Sequence, residues 1–326
     1  MPLVSTGELV TAAAARGHGI AAFNVITLEH AEAIAEGAER AGAPAILQIS
    51  ENAVRFHGGR LGPVTAAAAA VARASSVPLS LHLDHVESAD LLRAAFDAGF
   101  SSVMFDASKL PYAENLRATA DAVRLGHDRG VWVEAELGAV GGKDGEPPLD
   151  APLDPHAPGV RTDPAEAALY VAATGVDALA VAVGSSHAMT RRTAALDHPL
   201  IAALRAAVPV PLVLHGSSGV PDEEIRRAIT AGMVKINVGT ALNTAFTGAV
   251  REYLTARPSA VDPRKYLVPA REAMAGTVAG FIRVVGPLDA AAPVEPAGPV
   301  DAAGPVDAAG PVDAAGPAGP VSSSAG

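Results

Sequence analysis

Residues 79–98, LSLHLDHVESADLLRAAFDA, contain the unit from which the rest of the chain is built. An apolar run at 79–84 ends in Asp84 and His85, and the amphipathic segment 89–98 follows it after a short polar turn. The run predicts a buried strand, and the segment behind it predicts a helix. The same alternation recurs in both directions along residues 1–286.

Eight such strands are predicted, and helical patterns of about 10–15 residues lie between most of them. The strands are residues 20–25, 45–50, 79–84, 102–106, 131–136, 178–183, 211–214 and 234–238. The clearest helices are residues 28–41, 89–98, 113–129, 164–173 and 222–231. Continuous apolar strands are typical of parallel sheets that are covered on both faces. The pattern therefore predicts an α/β fold, a (β/α)8 TIM barrel.

An open, doubly wound sheet is the alternative arrangement of the same elements. No G-x-G-x-x-G motif follows the first strand, which weakens a dinucleotide-binding version of that sheet. Before the first strand, Ser5 and Glu8 have the spacing of a capping box, which predicts a helix that ends near Gly17.

The chain has 326 residues, with 24 Lys and Arg against 35 Asp and Glu, and a net charge of −11. This acidic balance without basic clusters argues against nucleic acid or an anionic membrane as a partner. The lack of cysteine excludes disulfides, thiolate zinc sites and a cysteine nucleophile. Because neither a secretory signal nor a membrane-length apolar stretch is visible, we expect a cytoplasmic protein.

The end of the chain differs from the rest in composition. The hexamer GPVDAA occurs three times, at 298–303, 304–309 and 310–315. Such a sequence cannot bury enough apolar surface to offset the conformational entropy of the chain. We therefore expect residues 1–286 to form one domain and residues 287–326 to form a disordered tail.

Polar residues stand where the predicted strands end, which is the end that carries the chemistry in such barrels. They are Asn24, Ser50, Asp84 with His85, Asp106, Glu134 with Glu136, and the sequences GSSH at 184–187, HGSSG at 215–219 and NVGT at 237–240. Charged and imidazole groups are costly to bury without partners. A shared cation would explain several of them at one rim.

Three histidines from three strand ends, His85, His187 and His215, would give the open site that zinc uses in Lewis-acid catalysis. Their spacing has no local signature, so ordinary rim histidines are the alternative. His82, two residues before Asp84, is expected one layer deeper on the same strand face, in a structural role. The other histidines are expected to be solvated or packed: His18, His30, His57, His127, His156 and His198.

Two glycine-containing turns follow strands seven and eight, at 215–219 and 237–240. Backbone N–H groups beside a helix N-terminus bind anions, and barrels favour these two loops for phosphate. A plain turn with a Ser or Thr helix cap is the alternative. Because the two loops are adjacent in a barrel, we favour the phosphate site.

The chain resembles the class II, zinc-dependent ketose-bisphosphate aldolases, in the branch that holds the fructose-bisphosphate and tagatose-bisphosphate enzymes. The motifs that carry the resemblance are AFNV, SLHLDH, VMFDAS, VEAELGAVGG, VAVGSSHA, LHGSSGVPDEEIRRAI, VKINVGTALNTAF and DPRKYLVPAREAM. The resemblance runs in register from Leu3 to about Phe281. It implies reversible retro-aldol cleavage of a ketose 1,6-bisphosphate, foremost fructose 1,6-bisphosphate to dihydroxyacetone phosphate and glyceraldehyde 3-phosphate.

The resemblance also assigns roles to individual positions. It implies that Asp84 handles the proton of the C4 hydroxyl and that three residues bind the catalytic Zn²⁺. These metal ligands are His85, His187 and His215. Asp106 and Glu136 would hold a second divalent metal, and a monovalent cation is a further candidate.

The implied substrate contacts come from several strand ends. They are Asn24, Ser50, Gly216, Ser217, Ser218, Asn237, Val238, Gly239 and Thr240. Arg264 resembles the arginine that reaches the far phosphate of a neighbouring subunit's substrate. The partners implied are therefore a sugar phosphate and other copies of the chain, as a homodimer or homotetramer.

Some positions depart from the family pattern. Lys143 stands where an acidic residue commonly moves the second proton, and Asp144 or Glu146 could replace it. The Pro- and Asp-rich stretch 147–161 could alter lid closure. Ala188 and Ser217 each stand where glycine is common, and these small changes predict tuning of a phosphate loop rather than its loss.

Other activities remain compatible with the residues. Tagatose bisphosphate or a deoxy-ketogluconate phosphate could be the substrate, and no residue separates these sugars. A barrel that binds metal or sugar phosphate without turnover is favoured by Lys143. A metal-dependent hydrolase is a further alternative, in which Asp84 would activate water. This activity would leave the phosphate loops without a role. A Schiff-base mechanism would need a suitably placed lysine, and Lys235 is expected to be structural.

Overall fold

Parallel strands joined by helices form a closed barrel in the computed structural model, which describes residues 3–138, 140 and 160–287. The strands are β1 Ile20–Asn24, β2 Ala45–Ser50, β3 Leu79–Val86, β4 Ser102–Phe105, β5 Trp132–Leu137, β6 Ala178–Val181, β7 Leu212–Leu214 and β8 Met233–Val238. Each strand pairs with the next in sequence, and β8 closes the barrel on β1, with Phe23 opposite Val238. The predicted TIM barrel is confirmed, and the open-sheet alternative is wrong.

Helices lie before β1, between the strands and after β8. They are α1 Thr6–Ala15, α2 Leu28–Ala41, α3 Glu51–Phe56, α4 Leu61–Ala74, α5 Ala89–Asp97, α6 Tyr112–His127, α7 Pro164–Thr174, α8 His198–Ala207, α9 Asp222–Ala231, α10 Thr240–Ala256 and α11 Pro263–Val285. Among the predicted strands, β6 ends at Val181 instead of residue 183, and β3 continues to Val86 instead of ending at Asp84. Val86 pairs with Phe105 after a shift of register, so the ladder with β4 extends beyond the predicted end.

The amino-terminal end of the barrel is covered by α1. Ser5 occupies the N-cap position, but its side chain makes no cap hydrogen bond, so the predicted capping box is wrong. Thr6 anchors the helix instead: its N–H donates to Ser101 Oγ at 3.1 Å and its hydroxyl donates to Ser80 Oγ at 3.0 Å. Contacts with residues of distant strands thus replace the local cap of α1. Because α1 covers the amino-terminal end, the barrel is open at the carboxyl ends of its strands.

The strands alternate between two kinds of environment, as the period of two of a strand requires. In β3, Leu81 and Leu83 belong to the large apolar cluster that packs between strands and helices. Their neighbours His82 and Asp84 are buried polar residues that contact side chains of other strands inside the barrel. The interior near the carboxyl ends of the strands is therefore polar, while the helix-facing side is apolar.

None of the helices in the described part of the chain is long and apolar enough to cross a bilayer. The predicted tail, residues 287–326, lies outside the described residues except for Pro287, and so does His156. The division into a domain at 1–286 and a tail therefore stays a prediction.

Candidate metal centre and substrate cavity

A cavity of about 230 Å³ opens where the strands end at their carboxyl termini. Most residues proposed from the sequence line it: Asn24, Ser50, Asp84, His85, Asp106, His187, Gly216, Ser218, Asn237, Gly239 and Thr240. The other predicted residues in the described ranges do not line it: Glu136, His215, Ser217, Val238 and Arg264. Strand ends that are far apart in sequence thus converge at one mouth.

The three predicted metal-binding histidines lie together, with His85 and His187 lining this cavity and His215 buried beside them. Their ring centroids are 4.9 Å apart for His85 and His215, 5.2 Å for His85 and His187, and 5.5 Å for His187 and His215. Glu136 joins them, and one donor atom from each of the four residues lies within 4.8 Å of the other three. The geometry places three imidazoles and a carboxylate around one point, and their role as ligands stays a prediction.

The position of His85 depends on an irregularity in β3. Its φ of 49° is in the left-handed region, which a non-glycine residue adopts only when its surroundings hold it there. The register between β3 and β4 shifts between Leu83 and Val86, so His85 lies at the irregular step of the ladder. Such a bulge re-aims a side chain, here beside the rings of His187 and His215.

Carboxylates behind the histidines determine which ring nitrogens are available. His85 Nδ1 lies 2.9 Å from Asp106 Oδ2, and His215 Nε2 lies 3.0 Å from Glu134 Oε1. This arrangement leaves Nε2 of His85 and Nδ1 of His215 for a cation. His215 Nδ1 is buried, lies 3.3 Å from Glu136 Oε2, and makes no hydrogen bond to any described residue.

These donors fit zinc. Neutral imidazole nitrogen and carboxylate oxygen are the ligands that zinc accepts in catalytic sites, and histidine ligands are held by carboxylates behind them. The residues predicted for a second metal are divided: Glu136 lies beside the histidines, whereas Asp106 contacts His85 and accepts hydrogen bonds from Ser108. A second metal site therefore stays a prediction.

Asp84 is buried at the edge of this cluster. Its Oδ2 accepts a 2.9 Å hydrogen bond from Gln48 Nε2 and lies 3.7 Å from His85 Nε2. Burial alone would raise the pKa of Asp84, but His85, together with the other imidazoles and the Lys235 ammonium, holds it well below its usual range. Asp84 is therefore a carboxylate at neutral pH and can accept a proton.

His85 has the opposite shift. Burial lowers the pKa of His85, but the Asp84 carboxylate and the hydrogen bond to Asp106 outweigh burial and raise it to about 9. A metal ion that binds His85 has to displace this proton at neutral pH.

The two predicted phosphate loops are adjacent. Gly216 has a φ of 68°, and a Cβ there would lie 2.4 Å from the Ser186 carbonyl oxygen, so only glycine fits. Ser218 Oγ accepts a 3.0 Å hydrogen bond from Ala241 N and so ties this loop to the start of α10. The buried amide of Asn237 lines the cavity without a hydrogen bond to the described residues.

Two predicted contacts in these loops have internal roles for their side chains. Ser217 is fully buried and its hydroxyl donates to the Leu214 carbonyl at 3.0 Å. Val238 is buried in the main apolar cluster, so only its backbone could reach a ligand.

The sequence and the fold have counterparts of known family. The family model "Fructose-bisphosphate aldolase class-II" matches residues 4–289. The chain belongs to this family. It is an aldolase, and hence a carbon–carbon lyase, and the resemblance of its motifs is confirmed.

Relatives of this aldolase match along nearly their whole length. The fructose-bisphosphate aldolase of Geobacillus stearothermophilus is 42% identical over 287 residues, which are 88% of this chain and 98% of the relative. That of Staphylococcus epidermidis is 40% identical over 292 residues, 89% of this chain and 100% of the relative. The crystal structure of the YdjI aldolase from Escherichia coli K12 matches with a TM-score of 0.74 at 32% identity, covering 87% of this chain and 97% of that one.

Arg264 of this aldolase lies away from the cavity. Its side chain is 87% exposed at the start of α11 and pairs with Asp262 at 2.8 Å. Its predicted contact with the substrate of another subunit stays a prediction. The loop positions Lys143, Asp144 and Glu146 lie outside the described residues.

Sequence reasoning missed charged residues at the rim of the cavity. Arg55 pairs with Glu51 at 2.6 Å, and Lys109 pairs with Glu87 at 2.7 Å. All four line the cavity. These four residues lie in loops or in the short helix α3. Nothing in their sequence pattern distinguishes them from ordinary solvent-exposed charges.

A second group of residues makes contacts that sequence reasoning missed: Glu134 was noted only as a strand-end carboxylate, Lys235 only as a structural lysine, and Gln48 not at all. Gln48, Glu134 and Lys235 are fully buried and hydrogen-bonded to one another or to site residues. Each stands two positions before a strand-end polar residue: Ser50, Glu136 and Asn237. That period-two spacing was the available signal. Lys235 and His82, both expected in structural roles, are fully buried.

Proposed function

We propose that this aldolase reversibly cleaves fructose 1,6-bisphosphate to dihydroxyacetone phosphate and glyceraldehyde 3-phosphate in a zinc-dependent reaction. The observation that carries the proposal is an ionised, buried Asp84 beside a cluster of three histidines, at a cavity that two phosphate-type loops border. The names of the relatives, fructose-bisphosphate aldolases, support the choice of sugar.

His85, His187 and His215 would hold the catalytic Zn²⁺, with Glu136 beside them. When bound, zinc supplies a Lewis acid that stabilises the negative charge developing on the ketone half of the substrate. The carboxylates behind the rings contribute orientation: Asp106 holds His85 and Glu134 holds His215.

Asp84 would accept the proton of the C4 hydroxyl. As that proton leaves, the C4–O bond becomes a carbonyl, the C3–C4 bond breaks, and its electron pair stays on C3 of the ketone half. The Gln48 amide, 2.9 Å from Asp84 Oδ2, holds the carboxylate in position for this transfer. In the condensation direction, the protonated Asp84 returns the proton to the new hydroxyl oxygen.

The phosphate on the ketone side would bind between the loops at 216–218 and 237–240. The left-handed Gly216 and the start of α10 at Thr240 present backbone N–H groups, and the helix dipole favours an anion there. Asn24 and Ser50, which line the same cavity, would contact the sugar. Asp144 or Glu146 would protonate C3 of the ketone half after cleavage.

The finer features of the enzyme are part of the same proposal. Arg264 would complete the far phosphate site of another subunit, in a homodimer or homotetramer, and a second divalent or a monovalent cation would bind near Glu136. Residues 1–286 would form the catalytic domain. A protein truncated after residue 286 should therefore have the same kcat as the full-length protein.

The test is steady-state kinetics on a panel of ketose phosphates that includes fructose bisphosphate, tagatose bisphosphate and a deoxy-ketogluconate phosphate. The proposal expects the highest kcat/KM on fructose 1,6-bisphosphate, loss of activity on exhaustive chelation, and recovery with Zn²⁺. Activity that survives chelation would contradict the zinc-dependent chemistry. A higher kcat/KM on another sugar of the panel would make that sugar the assigned substrate. Binding of a sugar phosphate without formation of products would favour a non-catalytic barrel.

A further inference from the structure

Beneath the cation site, a lysine with no contact to the cavity uses its donors on partners that reach the site. Lys235 Nζ lies 2.8 Å from Glu134 Oε2, 3.3 Å from Gln48 Oε1 and 3.4 Å from His82 Nε2. Lys235, Glu134 and His82 are fully buried. An ammonium has three donors, and here two of them face the oxygens of Glu134 and Gln48, while the His82 ring lies beside the third.

One arm of this network leads to the metal centre. Glu134 accepts from Lys235 with Oε2, which leaves Oε1 to accept from His215 Nε2 at 3.0 Å. Because Nε2 of His215 is engaged, Nδ1 is the nitrogen that faces Glu136 and the cation site. The Lys235–Glu134 pair thereby selects both the orientation and the tautomer of this ligand.

The other arm leads to the proton acceptor. The Gln48 carbonyl Oε1 faces the Lys235 ammonium, so its amide Nε2 faces away and donates to Asp84 Oδ2 and to Asn24 Oδ1, both at 2.9 Å. The ammonium beside Oε1 thus favours this orientation of the amide over the flipped one. A flipped amide would present its carbonyl oxygen to the Asp84 carboxylate.

We propose that Lys235 is a positioning residue that couples the two halves of the active site, holding His215 through Glu134 and Asp84 through Gln48. The Asp84 arm rests on the proposed function, whereas the His215 arm concerns cation binding alone. A buried ion pair is a weak source of stability, since desolvation offsets much of the attraction. The Lys235–Glu134 pair lies between the arm that leads to His215 and the arm that leads to Asp84. Its role is therefore to position these two groups rather than to stabilise the fold.

The experiment separates the two arms with one variant each. Glu134→Gln should lower the affinity of the metal-free protein for Zn²⁺, measured against a chromophoric chelator, by about tenfold or more. Gln48→Met keeps the ion pair, and should lower kcat at saturating Zn²⁺ and saturating substrate about tenfold or more while the affinity for Zn²⁺ stays within about twofold. Lys235→Met should produce both effects in one protein.

Tyr170→Phe is the matched control for loss of a buried polar contact. The Tyr170 hydroxyl donates to Asn115 Oδ1 at 2.8 Å and lies 2.9 Å from Thr119 Oγ1, on the helix side of the barrel. This variant should lower the melting temperature without changing the affinity for Zn²⁺ or kcat. A folded Lys235→Met protein that behaves like Tyr170→Phe would overturn the proposal.

If Lys235→Met does not fold, the two single-arm variants decide: the proposal is overturned when both lose only thermal stability. A wild-type protein that cleaves no sugar bisphosphate would refute the proposed function. In that case the Zn²⁺ affinity of Glu134→Gln would still test the His215 arm.

Discussion

Binding of zinc to the metal-free enzyme should release about one proton per site at pH 7 from His85 alone. Asp84 and Asp106 raise the pKa of His85 to about 9, so this imidazole is almost fully protonated at pH 7 until a metal displaces the proton. The sign follows directly: below pH 9 the proton competes with the cation. The apparent affinity for Zn²⁺ should therefore rise about tenfold per pH unit from 6 to 8, or about 1.4 kcal/mol per unit.

Titration calorimetry in two buffers with different ionisation enthalpies measures the released protons. Asp106→Asn is the matched variant, because it removes the carboxylate 2.9 Å from His85 Nδ1 while keeping the size of the side chain. The variant should release fewer protons at pH 7 and show a flatter dependence of affinity on pH. Release of less than half a proton by the wild type at pH 7 would refute the reasoning.

Three further substitutions test the site and its loops. Asp84→Asn should lower kcat about 10²–10⁴-fold while the affinity for Zn²⁺ is retained; wild-type kcat would show that another group takes the proton. Gly216→Ala should raise KM about tenfold, since a Cβ would lie 2.4 Å from the Ser186 carbonyl oxygen; an unchanged KM would remove this loop from phosphate binding. Ala188→Gly should raise the free energy of unfolding by about 0.5–1 kcal/mol, because Ala188 has a φ of 58° and glycine relieves that strain; denaturant unfolding that shows a loss would contradict it.

The fold could be predicted because its signals are local. Apolar runs such as residues 45–50 and amphipathic segments such as residues 28–41 carry their periods within a few residues, and both elements have the predicted bounds. The capping box at Ser5 was wrong because a distant hydroxyl, Ser101 Oγ, binds the helix end. Local patterns do not report such long-range partners.

The candidate site was predictable as a set of strand ends but not as a set of contacts. Polar residues at the ends of apolar strands, such as Asp84 and His215, are expected at the carboxyl-terminal end of a barrel whatever the pairing register of the strands. Whether they share a cation depends on backbone irregularities such as the left-handed His85. Sequence periodicity does not encode those irregularities.

The amino-acid sequence by itself determined the barrel, the family and the residue types that gather at its mouth. Only the tertiary structure decided that Glu134 lies behind His215 and that Lys235 reaches both Glu134 and Gln48, residues 101 and 187 positions away in the chain. The physical reason is that hydrogen bonds act over about 3 Å. Closing the barrel brings these distant strands within that range, and no local pattern specifies which side chains then meet.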